Sequence, residues 1–331
     1  MKPVVLGLSG LRLLAEEAAL LRSYPPAGII LFARNIADRV QLSGLIGALR
    51  DVLLPEAVIM VDQEGGRVAR LRPPHWAAHP SAGVIAALHA RNPVAGLRAA
   101  WLHGAAIGTE CRAAGFDVVA APVLDLVVDG QNDVVGDRSF GGDPVVVAAL
   151  GGAMAAGLAA AGVIAIGKHV PGHGRARVDS HAALPRVAAS GAAWAADKAP
   201  FQARARSLPC MMTAHILYEG LDDERPATLS PLVIRSVIRE EIGFSGLLFS
   251  DDLAMKALNG SPAALAFEAC AAGCDIALYC AGDAAGNREI LKILADSADL
   301  PKRLRAARPG AALLDLAAVL AERSTLLGAA S

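Results

Sequence analysis

The sequence predicts an α/β chain built as a single (β/α)8 TIM barrel over residues 1–331, with extra C-terminal helices. Three observations carry that prediction. Eight short apolar runs recur along the 331 residues, with helical patterns between them. Within each run the apolarity is continuous rather than alternating, as strands buried on both faces require. Polar and titratable residues then follow several of the runs, at the strand ends where such barrels carry their chemistry. An open, doubly wound sheet is the structural alternative.

The runs are PVVLGL (3–8), AGIILFA (27–33), AVIMVD (57–62), DVVAAPVL (117–124), GVIAIG (162–167), PCMMTA (209–214), GLLFSD (246–251) and DIALYC (275–280). Between them, 37–53, 93–115 and 231–243 read as helices. The stretch 145–167 is uncharged and long enough to cross a bilayer, but it holds five glycines and divides at Ala161-Gly162. Asp143 as N-cap and Pro144 at the first helical position predict a buried helix ending near Ala160, followed by a strand from Val163. No Pro/Ser-rich linker or charge block divides the chain, and the part after about Asp283 reads as packing helices.

Composition narrows the function classes. A 54% hydrophobic fraction and a mean hydropathy of +0.43 supply a large core, while a net charge of −1 gives no nucleic-acid footprint. Arg12, Glu16 and Glu17 interrupt the N-terminal apolar run, so no signal peptide and no membrane association are expected. The five cysteines lack CxxC spacing and read as small buried hydrophobes in a reducing, cytoplasmic compartment.

The strand ends are where the chemistry gathers. Asp62-Gln63-Glu64-Gly65-Gly66-Arg67 follows the third run and Asp125 the fourth, Lys168-His169 the fifth, His215 the sixth, and Ser250-Asp251-Asp252 closes the seventh. Five such groups in register favour an enzyme over a scaffold. The richest segment is GKHVPGHGRARVDSH, 167–181, with three histidines. His169 and His173 have the spacing of a helical metal motif, but Pro171, Gly172 and Gly174 oppose a helix and the glutamate of HExxH is absent. No phosphate-loop pattern is present either. Asp179 and His181, two apart in an extended segment, project to one side, where the carboxylate can fix the imidazole tautomer. Histidine, with an unperturbed pKa of ~6.5, then suits proton transfer in both directions. A solvated loop with an incidental Asp-His pair is the bland alternative.

FSDDLAM (249–255) ends a buried strand in two carboxylates. Alternation lets Asp251 face the barrel axis while Asp252 turns away or caps the next helix. VDQEGGRVARL (61–71) sets Asp62 beside a Gly-Gly turn and two arginines, a frame suited to a hydroxyl-rich ligand or an ordinary salt bridge. GDRSFGGDP (136–144) adds Arg138 in a Gly-rich loop.

Taken in order, GIILFARN, VDQEGGRVAR, APVLDL, GDRSF, KHVPGHG, DSH, HILYEGLDDERPATLS, FSDDLAM and AGCDIALYC resemble glycoside hydrolase family 3. Within it they are most similar to the bacterial cytosolic β-N-acetylglucosaminidases of peptidoglycan recycling. The resemblance implies a single barrel without a second domain, and no metal or cofactor. It implies Asp251 as nucleophile, His181 as general acid/base and Asp179 as its orienting partner. It further implies that Asp62, Arg70, Arg138, Lys168 and His169 hold the N-acetylglucosamine unit of a small muropeptide glycan. Gln63 stands where that family commonly has histidine, Val170 where it has phenylalanine, and Met255-Lys256-Ala257 where it has Met-Glu-Gly.

Other readings use the same residues differently. A phosphorolytic glycosidase of the same fold would exploit a neutral histidine and the positive charge of Arg175 and Arg177. A metal-dependent hydrolase would recruit His169, His173, His181 and the Asp251/Asp252 pair. A non-catalytic sugar-binding barrel would use none of them chemically.

Overall fold

A computed structural model describes residues 1–128, 134–176 and 184–328. Eight parallel strands close into a barrel in the order β1-β10-β9-β7-β5-β4-β3-β2. These are β1 (Lys2–Gly7), β2 (Pro26–Leu31), β3 (Val58–Val61), β4 (Val118–Val119), β5 (Ile164–Val170), β7 (Cys210–Thr213), β9 (Leu247–Asp252) and β10 (Ile276–Tyr279). Each falls within or overlaps one of the eight apolar runs. Two further strands, β6 (Arg186–Ala188) and β8 (Leu217–Glu219), pair in parallel outside the barrel, with Val187 opposite Tyr218. Three residues with only Val187 buried give no periodicity to read, so this ribbon had no signal in the sequence.

Continuous apolarity has a direct structural reason here. Val5, Ile30, Met60, Ile166, Met212 and Phe249 form one buried cluster, which fills the barrel interior. Their strand neighbours Leu6, Ile29, Ile59, Val61, Met211 and Leu248 belong to a second cluster that includes the surrounding helices. Alternate residues thus face different apolar layers, and no strand needs a polar face. The fourth run is the exception to a full strand. Only Val118–Val119 enter the ladder, and Pro122 has no N–H to extend it.

The uncharged stretch from Val145 divides as its capping residues require. Asp143 accepts the N–H groups of Val145 and Val146, the helix runs Pro144–Ala160, and β5 starts at Ile164. No helix among the described residues is long and apolar enough to cross a membrane. The segment read as helix 231–243 is helical over Val233–Glu241, but wound with the wider π spacing. After β10 come the helices Ala284–Ile293, Leu300–Ala307 and Leu316–Gly328. Leu300 and Leu304 join the interior cluster, and Arg303 bonds Asp275 and the Gly246 carbonyl at the strand starts. That helix therefore covers the N-terminal end of the barrel and leaves the opposite mouth open.

Candidate active site

A cavity of about 770 Å³, counted to its open mouth, lies at the C-terminal ends of the strands. Its lining includes Asp62, Glu64, Arg70, Arg138, Lys168, His169, His173, Asp251 and Asp252. Phe32, Val68, Val135, Met212 and Met255 supply apolar walls.

Ion pairs organise one side. Arg138 donates to both oxygens of Glu64, each at 2.8 Å. Lys168 Nζ lies 2.7 Å from Glu64 Oε1 and 3.0 Å from Asp62 Oδ1, and Arg70 reaches Asp62 Oδ2 at 3.4 Å. Burial pushes the Glu64 carboxyl up, but Lys168 and then Arg138 outweigh it and hold the group far below the usual carboxylate range. For Lys168, burial is likewise outweighed by Asp62 and Glu64, and its pKa is raised. Glu64 and Lys168 are thus held in their charged forms, and the bidentate geometry fixes the direction of Arg138. Gln63 presents Arg70. Its buried amide oxygen accepts the N–H groups of Arg70 at 2.7 Å and Leu71 at 3.0 Å, and its Nε2 donates to the Leu71 carbonyl.

A second anchor sits beneath the loop after β5. Asp125 is fully buried and accepts His169 Nδ1–H at 2.6 Å, the His169 backbone N–H at 3.2 Å and the His173 backbone N–H at 2.7 Å. Burial raises the Asp125 pKa, yet His169 and His173 more than offset it, so the carboxylate stays charged. A charged acceptor at Nδ1 fixes the tautomer and leaves His169 Nε2 as the atom available to a ligand. His173 lines the cavity, and its pKa is pushed down to about 4 by burial and the neighbouring His169. Among the described residues, no three His, Cys, Asp or Glu side chains are grouped to hold a metal ion.

The two aspartates ending β9 divide their work. Asp251 lines the cavity, and its Oδ1 accepts the Asp252 N–H at 2.8 Å. Burial disfavours its charge, but His215, then His169, that backbone N–H and Lys168 lower its pKa overall. Asp252 accepts the N–H groups of Ala254 and Cys280, each at 2.9 Å, and so ties the turn after β9 to the end of β10. Burial raises its pKa. The capping role is there, but Asp252 also borders the cavity rather than turning wholly away from it. His215 is completely buried between Thr228 Oγ1 at 2.8 Å and the Asp252 carbonyl at 2.9 Å, behind Asp251 rather than in the cavity.

Six sequence-derived site residues therefore share one cavity: Asp62, Arg70, Arg138, Lys168, His169 and Asp251. Asp179 and His181 lie outside the described residues, as does Arg177. Arg175, offered as free positive charge for an incoming phosphate, is paired instead. Its Nε donates to Asp197 at 2.8 Å. Two residues were overlooked. Glu64 is two positions from Asp62 and so shares its side, the same reasoning applied to Asp179 and His181. Asp125 stood in the strand-end register but carried no proposed role, because a buried brace has no motif of its own.

Known proteins share this chain's sequence and fold. The model of the glycosyl hydrolase family 3 N-terminal domain matches residues 4–306. A beta-hexosaminidase of Alkalilimnicola ehrlichii is 42% identical over 282 residues, covering 84% of this chain and 80% of its own. One from Pseudomonas aeruginosa is 39% identical over 312 residues, covering 92% and 90%. Among solved structures, NagZ from Neisseria gonorrhoeae in complex with N-trifluoroacetyl-D-glucosamine superposes with a TM-score of 0.88 at 34% identity. It covers 100% of this chain and 98% of that one.

Proposed function

The chain belongs to glycosyl hydrolase family 3, and we propose that it is a retaining exo-β-N-acetylglucosaminidase. On this reading it removes a terminal, non-reducing N-acetylglucosamine from muropeptides of the GlcNAc-1,6-anhydroMurNAc type, in cytoplasmic cell-wall recycling. The observation that carries the reaction is Asp251. It is a carboxylate kept ionised in the same cavity as a fixed frame of donors and acceptors for a sugar. The named activity of the relatives and the ordered set of sequence motifs support the substrate class.

In the first step an Asp251 oxygen attacks the anomeric carbon while His181 protonates the departing glycosidic oxygen. The C–O bond to the aglycone breaks and a glycosyl-aspartate ester forms. His181, now neutral, takes a proton from water, which attacks the same carbon and releases the sugar and free Asp251. Asp179 orients the imidazole. Asp62, Arg70, Lys168, Arg138 and His169 grip the sugar's hydroxyl and amide groups. Every proton is accounted for by His181 and water.

Trapping tests this directly. A 2-fluoro glycosyl substrate analogue is expected to label one peptide, at Asp251, and the parent protein is expected to turn over an aryl N-acetyl-β-glucosaminide without added phosphate. Label on another residue, or undiminished turnover in Asp251→Ala, would overturn the nucleophile assignment. Release of a sugar 1-phosphate that depends on phosphate would replace hydrolysis with phosphorolysis.

A further inference from the structure

Behind the ion-pair frame runs a buried polar chain that ends on the C-terminal helix, Leu316–Gly328. Arg323 of that helix is 4% exposed, and its Nη1 lies 2.8 Å from His79 Nδ1 and 3.4 Å from His103 Nδ1. His79 Nε2 lies 2.7 Å from Glu110 Oε2, and Glu110 Oε1 accepts the Ala77 N–H. His103 Nε2 lies 2.9 Å from the Glu64 carbonyl oxygen.

Donor and acceptor chemistry gives the chain a direction. An arginine only donates, so both imidazoles must turn a bare Nδ1 toward Arg323. Both then carry their proton on Nε2. That proton goes to the Glu110 carboxylate from His79 and to the Glu64 carbonyl from His103. The assignment requires neutral rings, and burial lowers the pKa of both histidines, with the Arg323 charge acting the same way. Burial also brings Arg323 down to about 10, which leaves it a cation at neutral pH.

The two histidines meet the turn that carries Glu64. The Gly66 N–H donates to the His79 carbonyl at 2.9 Å, while the His103 ring presses on Gly65. Gly65 has φ +100°, and a Cβ there would meet the Pro80 carbonyl oxygen at 2.3 Å and His103 Cε1 at 2.8 Å. This turn is fixed in place from behind, and the Glu64 side chain leaves it toward Lys168 and Arg138.

We propose that Arg323 is a positioning residue for the sugar site, acting through His103 on the backbone of Glu64. Arg323 touches no substrate and lies beyond the span of residues matched by the family model, 4–306. Its helix is held mainly by apolar contact, with Val319 buried beside Leu102, Ala105 and Ala106 and an exposed Arg98–Glu322 pair. Arg323 adds a fixed orientation that the apolar contact does not supply. The proposal rests on the glycosidase reading, and the experiment separates the two.

The full-length protein is assayed with an aryl N-acetyl-β-glucosaminide. Absence of turnover by the parent would remove the glycosidase reading itself. With an active parent, Arg323→Met is expected to raise KM about fivefold or more and change kcat by less than about twofold, the scale of coupling through a packed network. His103→Gln keeps a donor for the Glu64 carbonyl but loses the acceptor facing Arg323. In that background Arg323→Met is expected to add almost nothing, since groups in one network are non-additive. Glu322→Gln on the same helix is the control and leaves KM unchanged. An unchanged KM in Arg323→Met, or an effect undiminished in the His103→Gln background, overturns the proposal. If Arg323→Met lacks a thermal transition, Arg323→Lys, which keeps the cation but not the reach to both rings, is read by the same criteria.

Discussion

Arg138 grips Glu64 through both carboxylate oxygens, and the glutamate so held is only 6% exposed. Lys168 shares the same carboxylate, so one buried anion sets the direction of two cations that face the cavity. Removing an anion from such a cluster costs more than forming the cluster gained, because its partners stay buried. Glu64→Gln keeps the shape and discards the charge. It is expected to lower unfolding stability by about 3 kcal/mol at pH 7 in urea titrations. It is also expected to raise KM for an aryl N-acetylglucosaminide at least about tenfold. Equal midpoints and equal KM values would show that Asp62 alone organises the frame.

Asp125 works on the other wall by fixing His169. With Nδ1–H committed to a charged acceptor, the imidazole has one tautomer and one orientation. Asp125→Asn cannot hold the two backbone N–H groups and the ring proton as an anion does. We expect kcat/KM to fall about 100-fold, less than the about 10⁴-fold cost of a wrong tautomer at a catalytic histidine, because His169 binds rather than reacts. Nitrogen-15 NMR of the His169 imidazole should show a mixture of tautomers. A single unchanged tautomer with intact activity would remove the role given to Asp125.

Asp197 brings a pH dependence of opposite sign to the site carboxylates. Burial raises its pKa to about 6, against the pull of Arg175. The folded state therefore holds a proton that the unfolded chain, at 3.8, has already lost. This stabilisation is complete below about pH 4 and disappears as pH rises through about 6. After allowance for partial screening it amounts to about 1–2 kcal/mol. Asp197→Asn removes the titration but keeps an oxygen for Arg175. The stability difference between variant and parent should thus grow in the variant's favour from pH 4 to 7. A difference that stays flat across that range would contradict the assignment.

The strands were legible because burial on both faces writes an uninterrupted apolar run, and the site because its charges follow those runs. Asp62, Lys168 and Asp251 stand at the ends of β3, β5 and β9, so a one-dimensional rule located a three-dimensional cluster. Side chains that act from behind left no such mark. Glu64 lies inside VDQEGGRVARL, but its burial is created by Arg138, 74 positions away, and by Lys168. Arg323 is a lone arginine in an ordinary helix until the fold sets it against His79 and His103. The pairing of β6 with β8 was invisible for a related reason. Its three-residue strands depend on tertiary contact, among them the Tyr218 hydroxyl donating to the Gly172 carbonyl, rather than on local pattern.

We propose His181 for proton transfer from its spacing two residues after Asp179 and from the family resemblance, and leaving-group chemistry tests that proposal. A nitrophenolate departs without assistance, whereas a sugar alkoxide must be protonated as the bond breaks. His181→Asn should therefore lower kcat/KM for a disaccharide or alkyl β-N-acetylglucosaminide by about 10³-fold and for a nitrophenyl glycoside much less. Asp179→Asn should fall between parent and His181→Asn on the first substrate, since it disturbs orientation but leaves the imidazole. The 2-fluoro label at Asp251 should still form from an activated donor in both variants, because attack does not need the acid when the leaving group is good. Equal losses on the two substrate classes would mean that His181 binds or shapes the site instead, and the proton would have to come from another group.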